Sequence, residues 1–172
     1  VVILMNEFEI IKKYLRTLTL KNSSSLKLKD DVFYDKEKKV VISTDTFVEG
    51  IHFLKSSKPN QFIKKILRSS LSDLYCKGAI PTSYFLSLAL DKKSAKSSWL
   101  KEIKKTLISE QRKFNIFLGG GDTVYSSKLV ITITVLGYKK KNLVLRNGSY
   151  VNDDIYVTGT ICDSYIGLNV VK

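Results

Sequence analysis

Acidic residues recur at five points along the chain, each beside small polar residues or glycine. These points are Asp30-Asp31, Asp45, Asp73, Asp122 and Asp153-Asp154. In a chain with 29 Lys and Arg against 16 Asp and Glu, such clusters are the exception. Mg²⁺ prefers carboxylate oxygens and usually keeps waters and substrate phosphates as its other ligands. Hydroxyls such as those of Ser43 and Thr44 can complete its shell. Each aspartate alone could equally cap a helix or form a turn, so spacing alone does not show that they converge.

Three further features could contact an anionic ligand. Gly119-Gly120-Gly121-Asp122-Thr123 predicts a turn after a short strand, and it is either merely flexible or allows backbone N–H groups to approach a phosphate. The single histidine, His52, lies in a polar loop and could contact a substrate. Arg146 follows a strand and could clamp a phosphate. The chain has no Walker or Rossmann glycine signature.

The apolar pattern predicts helices and strands in mixed order, which favours an α+β fold. A helix beginning at Pro59 and ending near Gly78 places Asp73 at the edge of its apolar stripe, where a lone carboxylate needs a partner or a cation. The other predictions are a helix over 6–20, a loop over 21–29, strands over 40–44, 83–90, 116–118, 129–138 and 154–158, an irregular segment over 46–58, a helix over 96–114 and a helix start near Asp163.

Charge and composition exclude some classes of function. The net charge of +13 comes from 25 Lys and only 4 Arg spread over the whole chain, which indicates a compositional habit more than a nucleic-acid interface. No apolar run reaches the length of a membrane span. Cys76 and Cys162 fit no metal-ligand spacing and are expected to be reduced, as in a cytoplasmic protein.

Several segments together resemble the thiamine-monophosphate kinases. The segment Ser43 to Phe53 is similar to their S/T-T-D-x-x-V-x-G-x-H-F, and Leu71-Ser72-Asp73-Leu74 with Lys77-Gly78-Ala79 and Pro81 resembles their N-L-S-D-L-A-A-M-G-A-x-P. Further similarities, in order and in register, are Gly120-Gly121-Asp122-Thr123 to G-G-D-T, Leu145-Arg146-Asn147-Gly148 to L-x-R-x-G-A, and Asp154 to Gly159 to D-x-I-Y-V-T-G. Several independent motifs in register are far more specific than any one of them.

The resemblance implies the superfamily of aminoimidazole ribonucleotide synthetase and selenophosphate synthetase. It implies an N-terminal α+β domain with a mixed sheet of about four strands flanked by helices, paired with a second subunit in a homodimer. The implied reaction moves the γ-phosphate of ATP onto thiamine monophosphate. The implied ligands of several Mg²⁺ ions are Asp30, Asp31, Ser43, Thr44, Asp45, Asp73 and Asp122; Gly120, Gly121, Asp122 and Arg146 would contact ATP, and His52 the thiamine substrate.

Three departures from this pattern stand out, and the first of them, which replaces glycine and adds the charge of Lys29, weakens the prediction of the first metal site. Leu28-Lys29-Asp30-Asp31 stands where the family has G-x-G-D-D, the loop from Asp31 to Ser43 is short, and Cys76-Lys77 replaces a small residue and Met. The family is also about twice as long. We therefore expect residues 1–158 to form the ATP- and Mg²⁺-binding and dimerisation domain and residues 159–172 to begin a largely absent second domain. The alternatives are another ATP-using enzyme of the superfamily and a non-catalytic binding or dimerisation module.

Overall fold

A five-stranded mixed sheet forms the centre of the computed structural model, which describes residues 5–139, 141–157 and 159–171. The strands lie in the order β1-β2-β5-β3-β4. Their bounds are Phe33–Asp35 (β1), Val40–Val48 (β2), Ile80–Leu90 (β3), Phe117–Tyr125 (β4) and Val130–Tyr138 (β5). All neighbours pair antiparallel except β3 and β4, which are parallel. The α+β fold is thus confirmed, and the short β1 is a fifth strand that sequence reasoning did not predict.

Two strands extend further than the sequence predicted. The strand β2 does not end at Asp45, because all nine of its residues pair with β5, from Val40 opposite Tyr138 to Val48 opposite Val130. Asp45 therefore lies inside a strand, and the expected irregular segment begins only after Val48. The prediction of a glycine turn is also wrong. Gly119–Thr123 lies within β4, where its backbone pairs with β3 after a register shift near Phe85.

Two long helices cover one face of the sheet. Their bounds are Pro59–Cys76 (α2) and Ser97–Phe114 (α3), close to the predictions. Pro suits the first turn of a helix because the first N–H groups have no intrahelical partner. Ile63, Ile66 and Leu67 of α2 are fully buried, and they belong to the same core as Ile131 and Ile133 of the sheet. The position of α2 over β2 and β5 is what brings its last turns near Asp45.

The opposite face of the sheet carries paired hydroxyls. Thr44 and Thr134 lie 2.9 Å apart between their Oγ1 atoms, and Thr46 and Thr132 are separated by the same distance. Cross-strand pairs of this kind stabilise neighbouring strands.

The helix predicted over 6–20 is broken into three consecutive segments of different helix type. It comprises α1 (Glu7–Ile10), a π-helical segment (Ile11–Leu15) and a 3₁₀ segment (Arg16–Thr19). The predicted loop contains another 3₁₀ segment, Ser23–Leu28, with left-handed φ angles of 52°, 57° and 51° at Leu26, Lys27 and Leu28. Such angles favour glycine and are unfavourable for residues that carry a side chain.

The C-terminal part departs from one prediction and agrees with another. Residues 154–157 form no strand, and Thr158 lies outside the described residues, as do Val1 to Leu4 at the other end. The helix start near Asp163 is confirmed by α4 (Asp163–Val171). No helix in the described ranges is both long and apolar enough to cross a membrane.

Candidate functional site

A cleft of about 790 Å³ lies beside the edge of β2. The strand β1 pairs only with Val40 to Ile42, so it does not cover the rest of that edge. Six of the predicted site residues line this cleft: Asp30, Asp31, Thr44, Asp45, Asp73 and Arg146. Residues from two strand-adjacent loops, one strand and one helix therefore meet, although they are far apart in the sequence.

The carboxylate of Asp73 accepts a hydrogen bond from a hydroxyl of β2. Ser43 Oγ donates a hydrogen bond to Asp73 Oδ2 at 2.8 Å, and the same hydroxyl lies 3.1 Å from the Asp31 carbonyl oxygen. Burial raises the pKa of Asp73, the Ser43 hydrogen bond offsets part of this, and the nearby charges of Asp45 and Asp31 raise the pKa again. The three carboxylates therefore repel one another, and a bound cation would relieve that repulsion.

The donors of the cleft are chemically suited to Mg²⁺. They are hard carboxylate and hydroxyl oxygens, from Asp31, Thr44, Asp45 and Asp73. Over the described ranges, no three His, Cys, Asp or Glu side chains form a ready-made metal cage. Mg²⁺ usually binds through one or two carboxylates, with waters and phosphates completing its shell. The residues therefore fit a magnesium ion that arrives with a phosphate ligand.

Asp30 has a different environment from its neighbour Asp31. Lys77 Nζ lies 2.6 Å from Asp30 Oδ1, and each of these two side chains is only 4% exposed. Burial would raise the pKa of Asp30, but the Lys77 ammonium and the N–H groups of Arg146 and Asp31 outweigh it and hold the pKa below its usual value. Sequence reasoning expected the charge of Lys29 to disturb this site. Lys29 is exposed at the cleft, whereas the buried cation is Lys77.

Arg146 connects the two adjacent aspartates to the loop that follows the sheet. Its Nε lies 3.0 Å from Asp31 Oδ2, and its backbone N–H donates to Asp30 Oδ2 at 3.2 Å. The guanidinium is 60% exposed, so this ion pair is weak and open to exchange. A phosphate group could replace Asp31 as the partner of Arg146.

The N-terminal helical segment contributes cations to the same cleft. Lys12 and Arg16 line it, and so do Lys27 and Lys29 from the 3₁₀ segment and its end. Lys12 and Arg16 belong to the segment that the sequence predicted as a helix over 6–20, and no role was predicted for them. The only signal was their position outside the apolar stripe. The cleft is therefore lined by carboxylates together with ammonium and guanidinium groups.

Asp122 and the glycines that precede it lie on β4, away from the cleft. Asp122 pairs with Ser87, in a row that continues through Thr132 to Thr46. Three interstrand spacings of about 4.8 Å put Asp122 about 14 Å from that end of the row. One ion cannot contact both Asp122 and Asp45 across that distance. Asp122 is exposed and does not line the cleft, so its predicted metal role would need a separate ion.

Gly121 is required by the close approach of β4 to β3. A Cβ at this position would overlap the carbonyl oxygen of Leu86. A Cβ at Gly119 would instead meet the ring of Phe85 at 3.1 Å, a side chain that can move. Gly121 therefore lets two backbones pack closely, and Gly120 has a φ of 154°, a value that residues with a side chain rarely adopt.

His52 borders a second cavity of about 420 Å³, apart from the acidic cleft. Its Nδ1 accepts a hydrogen bond from the Val48 N–H at 3.0 Å, and its ring lies edge-on to Phe47 with 5.9 Å between centroids. With Nδ1 as the acceptor, a neutral ring carries its proton on Nε2. The exposed imidazole therefore has a fixed orientation and one free donor for a ligand.

The mixed sheet and its acid-lined cleft agree with a match to a known protein family. Residues 28–138 match the family described as AIR synthase related protein, N-terminal domain, and the chain belongs to this family. The resemblance drawn from the motifs is thereby confirmed at the level of fold and family.

Relatives of known activity share this similarity over almost the whole chain. It is 38% identical to a thiamine-monophosphate kinase of Buchnera aphidicola from Schizaphis graminum over 172 residues, which is 97% of this chain and 52% of the relative. It is 35% identical to the thiamine-monophosphate kinase of Haemophilus influenzae, with the same coverage. The chain thus spans about half the length of these relatives.

Solved structures of thiamine monophosphate kinases have a similar fold. The crystal structure of the Aquifex aeolicus thiamine monophosphate kinase superposes with a TM-score of 0.82 at 26% identity, covering 96% of this chain and 53% of that one. A structure of AaThiL complexed with AMPPCP and TMP gives a TM-score of 0.84 at 25% identity, covering 99% and 55%.

Proposed function

We propose that this chain is the Mg²⁺- and ATP-binding part of a thiamine-monophosphate kinase, which transfers the γ-phosphate of ATP to thiamine monophosphate to give thiamine diphosphate. The observation that carries the proposal is one cleft lined both by Asp31, Asp45 and Asp73 and by Lys12 and Arg16. The relatives named thiamine-monophosphate kinase and the complex of AaThiL with AMPPCP and TMP support the choice of nucleotide and acceptor.

The cleft suits a reaction that depends on position and charge more than on covalent help. Phosphoryl transfer needs the triphosphate oriented and its charge neutralised. Asp31, Asp45 and Asp73 would hold Mg²⁺, with Ser43 and Thr44 nearby, and Mg²⁺ supplies the charge neutralisation. Lys12 and Arg16 would bind phosphate oxygens directly. The attacking atom is an oxygen of the substrate's own phosphate, so no protein nucleophile is required.

The remaining predicted residues have separate proposed roles. Gly120, Gly121 and Asp122 would contact ATP away from the cleft, Asp122 with an ion of its own, and Arg146 would exchange Asp31 for a phosphate. His52, beside the second cavity, would donate from Nε2 to the thiamine substrate. The separation of the two cavities suits a bisubstrate reaction, because nucleotide and acceptor must approach from different sides.

The proposal includes a homodimer formed through the sheet. The face opposite α2 and α3 presents the threonine pairs together with Phe85, which is 40% exposed. A second copy packed on this face would bury it. We place the protein in the cytoplasm, where free cysteines such as Cys76 and Cys162 stay reduced. Neither a membrane nor a nucleic acid is a proposed partner.

Product formation tests the proposal directly. Protein expressed from the complete gene is incubated with ATP, Mg²⁺ and thiamine monophosphate, and thiamine diphosphate is separated by chromatography. We expect ATP-dependent product, and none without Mg²⁺. A preference for free thiamine over its monophosphate would contradict the acceptor. ATP turnover with neither acceptor would favour another ATP-using enzyme of the family.

A further inference from the structure

A buried ion pair lies at the back of the acidic cleft. Lys77 and Asp30 are each 4% exposed in their side chains, and 2.6 Å separates Nζ from Oδ1. A charge in such a place is costly unless it is paired. The sequence offers no local reason for the pair, because Asp30 precedes β1 whereas Lys77 follows α2.

The carboxylate of Asp30 already interacts with three donors of the protein. Oδ1 accepts from Lys77 Nζ and from the Asp31 N–H at 2.8 Å, and Oδ2 accepts from the Arg146 N–H at 3.2 Å. A metal ion at Asp30 would have to displace at least one of these donors and enter a site with almost no access to water. Asp31, by contrast, is exposed and held only by the exposed Arg146.

The position of Lys77 is fixed by the end of a helix. It is the C-cap of α2, with its N–H bonded to the Leu74 carbonyl at 3.1 Å. Cations are favoured at helix C-termini because the unpaired carbonyls concentrate negative charge there. Lys77 also follows Asp73 by four residues, so both side chains project from one side of the helix end. The Lys77 ammonium therefore pairs with Asp30, and its charge also acts on Asp73.

We propose that the Lys77 ammonium is a built-in counter-ion that takes the place of a divalent cation at Asp30. Asp30 then positions Asp31 and Arg146 and is not a metal ligand, and the cleft binds one divalent ion fewer than it would without Lys77. This inference rests on the proposed function only for the identity of the ion as Mg²⁺.

Replacing Lys77 by methionine creates the divalent site that the ammonium pre-empts. The number of bound Mn²⁺ ions, used as a spectroscopic substitute for Mg²⁺, is counted by electron paramagnetic resonance. We expect Lys77→Met to bind one more ion than the parent. Its Tm, lowered by the orphaned carboxylate, should rise with Mg²⁺ by about 5 °C more than that of the parent, since an ion bound only by the folded state stabilises it.

Two control variants separate this effect from a general loss of charge. Lys139→Met removes a second buried ammonium at the same helix end, whose Nζ donates to the Gly78 carbonyl at 3.0 Å and forms no ion pair within the described residues. It should gain no ion. Lys77→Met combined with Asp30→Asn should lose both the extra ion and the added Mg²⁺ dependence of the Tm.

The single Asp30→Asn variant keeps the test decisive if Lys77→Met does not fold. In the parent background it should leave the Mn²⁺ count unchanged. A loss of one ion would mean that Asp30 is a ligand and would overturn the inference, as would an unchanged count in a folded Lys77→Met protein. Ion counting needs no turnover, so a parent that makes no thiamine diphosphate would refute the proposed function without touching this result.

Discussion

Replacing Arg68 by methionine should weaken the connection between the two long helices. Arg68 of α2 donates from Nε to Glu110 Oε2 at 2.7 Å and from Nη2 to Oε1 at 2.9 Å. The Glu110 side chain is 2% exposed, whereas that of Arg68 is 43% exposed. The pair anchors α2 to α3, and α2 carries Asp73 of the cleft and ends at its C-cap Lys77.

The expected loss of stability follows from the carboxylate left behind. Breaking a buried ion pair costs about 3–5 kcal/mol, because one charge remains unpaired. Arg68 is partly exposed, so water can reach the vacated space, and Lys64 and Lys113 add favourable charge near Glu110. We therefore expect about 2–3 kcal/mol for Arg68→Met. For a domain of this size that corresponds to a fall in Tm of about 5–10 °C.

The pH dependence of this loss has a definite sign. The Arg68 hydrogen bonds lower the pKa of Glu110 more than burial raises it. A carboxylate with a lowered pKa contributes stability that is present above its unfolded pKa, about 4.3, and is lost as the pH falls through the folded value. The difference in Tm between parent and Arg68→Met should therefore be largest near pH 7 and shrink below about pH 4.

Thermal unfolding followed by circular dichroism between pH 3 and 7 measures both effects. The double variant Arg68→Met with Glu110→Met is the matched control, because it removes both charges and leaves no orphaned carboxylate. It should unfold closer to the parent than the single variant does. A single variant within about 1 °C of the parent at pH 7, or a deficit that stays constant down to pH 3, would refute the reasoning.

Three further predictions concern the glycine strand, the strained loop and the second cavity. Gly121→Ala should destabilise the fold by about 1–3 kcal/mol, because its Cβ meets the backbone of Leu86. Gly119→Ala should destabilise it less, because its Cβ meets a side chain that can move. Equal urea midpoints of the two variants would contradict this. Lys27→Gly should stabilise by about 1 kcal/mol, because φ is 57° there, and a lower Tm would contradict it. His52→Ala should raise the KM for thiamine monophosphate about tenfold, because one hydrogen bond is lost, and should leave the KM for ATP unchanged. An equal rise in both KM values would contradict a role of His52 in binding thiamine monophosphate.

The two long helices were predictable because their signals are local. Pro59 and a 3.6-residue apolar period mark α2, and the same period marks α3. The strands were less predictable where polar residues or glycine interrupt the apolar run. Asp45 and Thr46 suggested that β2 had ended, but pairing with β5 continues through both. Pairing of this kind depends on residues distant in the chain, which periodicity does not register.

The candidate site also combines residues with local sequence signals and residues that meet only in the folded chain. Motifs in register predicted that Asp31, Asp45 and Asp73 belong to one site, and all three line the cleft. They could not predict the partner of Asp30, because Lys77 reaches it only after the helix docks on the sheet. The cations of the N-terminal segment were missed for a related reason. A lysine outside an apolar stripe has the same pattern whether it faces solvent or a cleft.

The magnesium dependence of turnover tests the central claim most directly. Initial rates of thiamine diphosphate formation are measured against Mg²⁺ concentration for the parent, Asp73→Asn and Asp45→Asn. The control is Asp35→Asn, at the end of β1 and not among the residues that line the cleft. We predict that both cleft variants lose at least about 100-fold in rate at a Mg²⁺ concentration that saturates the parent, about 2.7 kcal/mol or more, and that the control matches the parent. Parental rates and an unchanged Mg²⁺ dependence in both Asp73→Asn and Asp45→Asn would contradict the assignment of the cleft as the Mg²⁺ and ATP site.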